Sequence, residues 1–121
     1  MPNKSSIKSK KIRKFRIVLD SAFAKTSFFP KLSKRAKVFH CVHDFGLSYQ
    51  ASDNEIYQKA YENNCFVLTV NFVDFKKLIK GKCPGVLGIE SQLTTEKMDK
   101  KVADFIAGKN PDDFLGKATK I

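Results

Sequence analysis

The sequence predicts an α/β fold, a three-layer sandwich around a central, mostly parallel sheet of four or five strands. Two observations carry this. Short aliphatic and β-branched runs recur at 15–19, 37–42, 65–69 and 86–89, with helically spaced segments between them. That alternation is the mark of a parallel sheet covered on both faces. The run Phe66-Val67-Leu68 also lacks polar alternation, as expected of a strand buried on both sides.

The elements follow in order. Residues 1–14 carry Ser, Asn and Lys without apolar periodicity and read as a flexible basic arm. Residues 15–121 then form a single domain, a length that suits one core. The first strand, 15–19, ends on Asp20. From 22 to 36 the pattern is loosely helical, with Phe28, Leu32 and Ala36 four apart, but Pro30 interrupts it. A short or kinked helix starting near the proline is expected. The second strand is 37–42. Ser52 and Glu55 form a capping box, and the helix they open should stop at Asn63-Asn64. The third strand, 65–69, is followed by a helical segment over 73–79 and a turn at Pro84-Gly85. The fourth strand is 86–89. The last helix spans 95–107, with Met98, Val102, Phe105 and Ile106 as its apolar stripe and Gly108 as its breaker. The tail from Asn110 does not separate strand from coil.

Composition narrows the function. No apolar run approaches the roughly 20 residues of a membrane span, and no signal-peptide pattern follows the basic start. Three widely spaced cysteines, Cys41, Cys65 and Cys83, suit a reducing, cytoplasmic setting and core packing rather than a disulfide framework. The formal charge is +11, and seven of the basic residues (Lys4, Lys8, Lys10, Lys11, Arg13, Lys14 and Arg16) precede the first acid. A mildly basic body therefore carries a strongly basic arm. Such an arm suits a nucleic-acid backbone, with Lys8, Lys10, Lys11, Arg13, Lys14 and Arg16 as its contacts. A solubilising tail is the plainer alternative. An anionic membrane fits less well, because the arm has no apolar face.

The chemistry-bearing residues fall on one edge. In a parallel sheet the carboxyl ends of the strands share an edge, and ligands bind outside it. Asp20 follows the first strand, Asn71 and Asp74 follow the third, and the helix opened by Ser52 begins nearby. Taken alone, Asp20 also reads as a turn residue, and Asp53 and Asp74 as first-turn helix acids. Helical spacing of about 100° per residue groups Asp53 with Ile56, Tyr57 and Ala60 on the sheet-facing side. Glu55 lies opposite and serves the capping box. Carboxylates gathered this way repel one another unless a cation joins them. A hard ion, Mg²⁺ or Mn²⁺, suits oxygen ligands. Metal-assisted phosphodiester hydrolysis links such a cluster to a basic surface.

The order Ile-Val-Leu-Asp20, then Ala51-Ser52-Asp53-Asn54-Glu55-Ile56, then Thr69-Val70-Asn71-Phe72-Val73-Asp74-Phe75, then Pro84-Gly85-Val86-Leu87-Gly88-Ile89 resembles the PIN-like domain family. The likeness is to its short prokaryotic branch, related to VapC-type toxin ribonucleases, and covers about residues 15–107. It implies a PIN-like sandwich and a metal-dependent ribonuclease, the toxin of a toxin–antitoxin pair. Asp20, Asp53 and Asp74 would be metal ligands, with Asn71 and Thr69 completing the catalytic set. The implied partners are RNA, a cognate antitoxin and a second copy of the chain as a homodimer, with no membrane. Two positions depart from the family pattern. Ala22 stands where a polar residue is common, and Asn71 where many relatives carry an acid. The alternative is therefore a catalytically weak or inactive PIN-like protein that binds nucleic acid or a partner.

Other motifs are set aside. His40 and His43 would face opposite sides of an extended strand and not converge. The glycines lack phosphate-loop spacing, and no nucleophile elbow is present. The phenylalanines mostly read as core. Tyr49 is a candidate base-stacking residue, whereas Tyr57 and Tyr61 read as core.

Overall fold

A computed structural model describes residues 13–81 and 83–121. Most of the expected arm, including Lys8, Lys10 and Lys11, lies outside the described residues. The chain forms one five-stranded sheet, β1 (Phe15–Leu19), β2 (Ala36–His40), β3 (Phe66–Thr69), β4 (Val86–Gly88) and β5 (Ala118–Lys120), in the order β2-β1-β3-β4-β5. Every neighbouring pair is parallel. The helices are α1 (Pro30–Arg35), α2 (Asp53–Glu62), α3 (Phe72–Lys76) and α4 (Thr95–Ile106). The expected α/β sandwich is the fold observed.

Alternation along the inner strands divides the core. Phe15, Ile17 and Leu19 of β1 join Phe66 and Leu68 of β3 beneath α1 and α4, with Leu32, Met98, Val102 and Ile106. Val18 and Val67 point the other way, towards Ile56, Tyr57 and Ala60 of α2 and Phe75 of α3. These side chains are buried on both faces, which explains the unbroken apolar run in β3. Burying one such side chain contributes about 1.5–3 kcal/mol. The sheet is therefore the main source of stability.

Local sequence signals explain most boundaries. Ser52 Oγ accepts the Glu55 N–H at 3.2 Å, and Glu55 accepts the Ser52 N–H at 2.8 Å, so the capping box forms as expected. Asn63 caps the other end of α2, and Asn64 takes φ 61°, the left-handed turn that Asn tolerates. The 22–36 segment does not run as one helix. A 3₁₀ turn at Thr26–Phe28 leaves Phe28 exposed, and α1 starts at Pro30, where the missing N–H costs nothing.

Three features were not legible locally. The N-terminus of α1 has no cap from Phe29; instead Asp99 of α4 reaches across, accepting the Lys31 N–H at 3.0 Å and the Leu32 N–H at 2.8 Å. The tail resolves into a 3₁₀ turn at Pro111–Phe114 and β5, a short edge strand flanked by Lys117 and Lys120 that discourages further pairing. Its approach to β4 requires Gly85, because a Cβ there would lie 1.9 Å from the Lys117 carbonyl oxygen. Finally, β2 ends at His40 rather than 42. The Asp44 carboxylate accepts the His40 N–H at 2.7 Å, and the chain turns.

Asp99→Ala should therefore destabilise the fold by about 1.5–3 kcal/mol, the cost of removing a charged partner from buried N–H groups. Asp104→Ala on the exposed side of the same helix should leave the urea midpoint nearly unchanged. Urea unfolding of both variants checks the contrast.

Candidate functional site

Strand order marks where a site can form. The chain leaves β1 for β2 on one side and returns to β3 on the other, so a crevice opens between β1 and β3 at their carboxyl ends. The register pairs Leu19 with Leu68, which puts Asp20 beside Thr69. By alternation both belong to the face covered by α2. This is the edge singled out from the sequence.

Asp20 is 5% exposed. Its Oδ1 accepts the Ala22 N–H at 2.9 Å, and its Oδ2 accepts the Thr69 hydroxyl at 2.6 Å. Thr69 Oγ1 in turn accepts the Asn71 N–H at 2.8 Å, fixing the turn out of β3. The Asn71 side-chain amide then donates to Asp53 Oδ2 at 3.1 Å. A continuous hydrogen-bonded chain thus runs from Asp20 through Thr69 and Asn71 to Asp53. Four of the five expected catalytic residues are joined directly.

Asp74 lies on the exposed side of α3 and is coupled to Asp53 by charge rather than by a hydrogen bond. Burial is the main reason the Asp20 carboxyl is held above its ordinary range, and the Asp53 charge adds to it; hydrogen bonds from Thr69 and Ala22 partly offset the rise. Asp53 is raised for the same reasons, burial first and then the Asp74 charge, with the Asn71 amide opposing. The site therefore concentrates unfavourable negative charge.

The donor set is all oxygen, which fits a hard cation and not a thiolate- or imidazole-preferring metal. Among the described residues, however, no three His, Cys, Asp or Glu side chains form a ready-made metal-ligating group. The fit lies in the chemistry of the donors, and the expected three-carboxylate cage is not preformed. Asn71 acts as a donor to Asp53.

The nearby cysteine and histidines have other roles. Burial, then the charge of Asp20, pushes the Cys41 thiol up to about 11, so it is no thiolate nucleophile. His40 and His43 do converge, contrary to the strand-based expectation, with ring centroids 4.6 Å apart. The reason is the early end of β2, which turns His43 back over His40. Fully buried His40 places Nε2 2.9 Å from the Phe23 carbonyl oxygen, and its Nδ1 accepts the Val42 N–H at 3.1 Å. His43 Nε2 meets the hydroxyl of exposed Tyr49 at 2.8 Å. Tyr57 is core as expected, but Tyr61 is exposed, with the Lys80 ammonium 5.6 Å from its ring centroid.

The basic residues at the root of the arm sit elsewhere. Arg13, Lys14 and Arg16 precede or begin β1, whereas Asp20 follows it, a separation of roughly 17 Å for a five-residue strand. Arg16 is committed to structure: its guanidinium donates twice to the Asn63 carbonyl, closing the end of α2, and stacks 5.1 Å from the Phe39 ring centroid. Arg13 pairs with Asp112. Of the three, Lys14 is the described residue without such a role.

Comparison with models of protein families, with curated proteins and with solved structures gave no match.

The Asp20 carboxyl has two pKa values, an ordinary one in the unfolded chain and one that burial raises in the fold. Between those values the folded chain holds a proton that the unfolded chain has lost, so stability falls as pH rises through that window. Asn does not titrate. The stability of Asp20→Asn relative to wild type should therefore improve from pH 3 to pH 7 in urea unfolding; a difference independent of pH would contradict the desolvation of Asp20.

Proposed function

We propose that the protein is a metal-dependent ribonuclease that hydrolyses RNA phosphodiester bonds. The observation that supports this best is the hydrogen-bonded chain Asp20–Thr69–Asn71–Asp53 at the β1/β3 crevice. It holds two desolvated carboxylates at the place where an open parallel sheet binds ligands. A purely stabilising role would favour fewer carboxylates at one edge, where their charges repel.

Asp20, Asp53 and Asp74 would hold Mg²⁺ or Mn²⁺, which when bound supplies activation of water and neutralisation of charge on phosphoryl oxygens. Thr69 fixes the Asp20 carboxylate through its hydroxyl. Asn71 orients Asp53 and presents a polar amide to the crevice. Lys14 and the lysines before it would draw the RNA backbone to the molecule by counterion release. Lys14 sits before β1, at the opposite sheet edge from Asp20, so it serves capture rather than the bond being cut. The PIN-like resemblance agrees with this assignment, and extends it to the toxin of a toxin–antitoxin pair in the cytoplasm, with an antitoxin and a second copy of the chain as partners.

A second reading is favoured by one observation. Both Asp20 oxygens and one Asp53 oxygen already accept hydrogen bonds, and the amide of Asn71 donates where an acid would add charge. That arrangement suits a catalytically weak or inactive nucleic-acid-binding or partner-binding protein.

Wild type should cut single-stranded RNA with Mn²⁺ and not with EDTA, and Asp20→Asn should lose at least about 100-fold of that rate, the scale on which a misplaced reacting group is felt. Mn²⁺ should raise the melting temperature of wild type and not of Asp20→Asn. RNA binding without cleavage at any Mn²⁺ or Mg²⁺ concentration would favour the second reading. Equal cleavage by Asp20→Asn would remove Asp20 from the site.

A further inference from the structure

Beside the carboxylates, but outside their hydrogen-bonded chain, lies a recess of about 300 Å³ between α3 and the ends of β4 and β5. Val70, Asn71, Phe72, Gly88, Ser91 and Lys120 line it. That size is at the small end of ligand pockets, about 300–1,000 Å³. Asn71 belongs to both places, since its amide holds Asp53 while it forms part of the recess wall.

Phe72 is its principal surface. The half-buried ring rests on β4 at Gly88, where a Cβ would fall 2.4 Å from the ring Cδ1. Any side chain at 88 would displace the ring. Two ammonium groups converge on it, Lys76 Nζ at 5.8 Å and Lys120 Nζ at 5.5 Å from the centroid. They come from different elements, α3 and β5, and neither makes an ion pair among the described residues. The acid on the lining, Glu90, pairs with Lys101 at 3.2 Å. The recess therefore offers an aromatic ring, the Lys120 ammonium and the polar side chains of Asn71 and Ser91, while Lys76, outside the lining, brings a second ammonium to the same ring.

An apolar ligand would gain nothing from the lysines, and a bare anion nothing from the ring. A nucleotide uses both, because every base has a face to stack and a phosphate to neutralise. We propose that this recess is a nucleotide subsite for single-stranded RNA: one base stacks on Phe72, and Lys76 and Lys120 engage the adjoining phosphate. The shared Asn71 brings the next phosphodiester towards Asp20 and Asp53. Only that last placement rests on the ribonuclease reading; nucleotide binding itself does not.

The test is binding of a trinucleotide carrying 2-aminopurine, read by its fluorescence in EDTA so that no cleavage intervenes. The chain has no tryptophan to interfere. Wild type should quench the probe saturably. Phe72→Leu and Lys120→Glu should each weaken binding about tenfold, within the range for losing a base stack or a phosphate contact. Lys120 is exposed, so its variant reports even if Phe72→Leu perturbs folding. Wild-type affinity in folded Lys120→Glu, or in folded Phe72→Leu, would overturn the subsite. Probe binding that needs Phe72 and Lys120 in a protein that cuts no RNA would uphold the subsite while removing the ribonuclease reading. RNA cleavage with unchanged KM in both variants would do the reverse.

Discussion

The carboxylate of Asp20, buried at the seam of β1 and β3, is the constraint on which the rest of the site depends. Water would solvate it better than the sheet edge does, and its raised pKa is the residue of that cost. The Ala22 N–H and the Thr69 hydroxyl replace part of the lost solvation. Both depend on register. A one-residue slip of β3 would turn Thr69 to the opposite face and put Leu68 against the acid. With Thr69 displaced, the turn holding Asn71 would lose its hydrogen bond, and Asp53 its amide partner. Position, charge and reach of the whole edge thus follow from one strand pairing.

Much of this was legible because it is local. The apolar run of β3, the capping box at Ser52, the Asn63-Asn64 stop and the carboxylate ending β1 each declare themselves within a few residues. Asp20, Thr69, Asn71 and Asp53 could be placed on one edge because parallel strands share an edge whatever their order. What sequence could not give was decided by distant partners. Asp99 looks like one more polar residue on α4 until α1 packs beneath it without a cap of its own. The histidines converge only because Asp44 ends β2 early. Arg16 resembles the rest of the arm in composition, yet the carbonyl of Asn63 and the ring of Phe39 claim it. Phe72 reads as core until Gly88 and two lysines from separate elements define its surroundings.

These placements divide the surface by charge. Negative charge gathers at the carboxyl edge of the sheet, around Asp20, Asp53 and Asp74. The described part of the basic arm leaves from the opposite edge, about one strand length away. Positive charge gathers instead at Phe72, next to Asn71, where the Lys76 and Lys120 ammonium groups approach the ring. A polyanion at the Phe72 ring would therefore meet two ammonium groups there. Asn71 stands between the acidic and basic groups and is bound to the acidic one. Its amide makes the cluster less negative than an acid would, so occupancy of the site by a cation is the decisive question.

That question has a direct answer in the titration of the Asp20 side-chain carboxyl carbon by NMR, with and without Mg²⁺. The carboxyl should titrate above the ordinary aspartate range in the free protein and shift downward with Mg²⁺, as a bound cation favours the charged form. An ordinary pKa that Mg²⁺ leaves unchanged would contradict both the desolvated carboxylate and the metal site proposed on it.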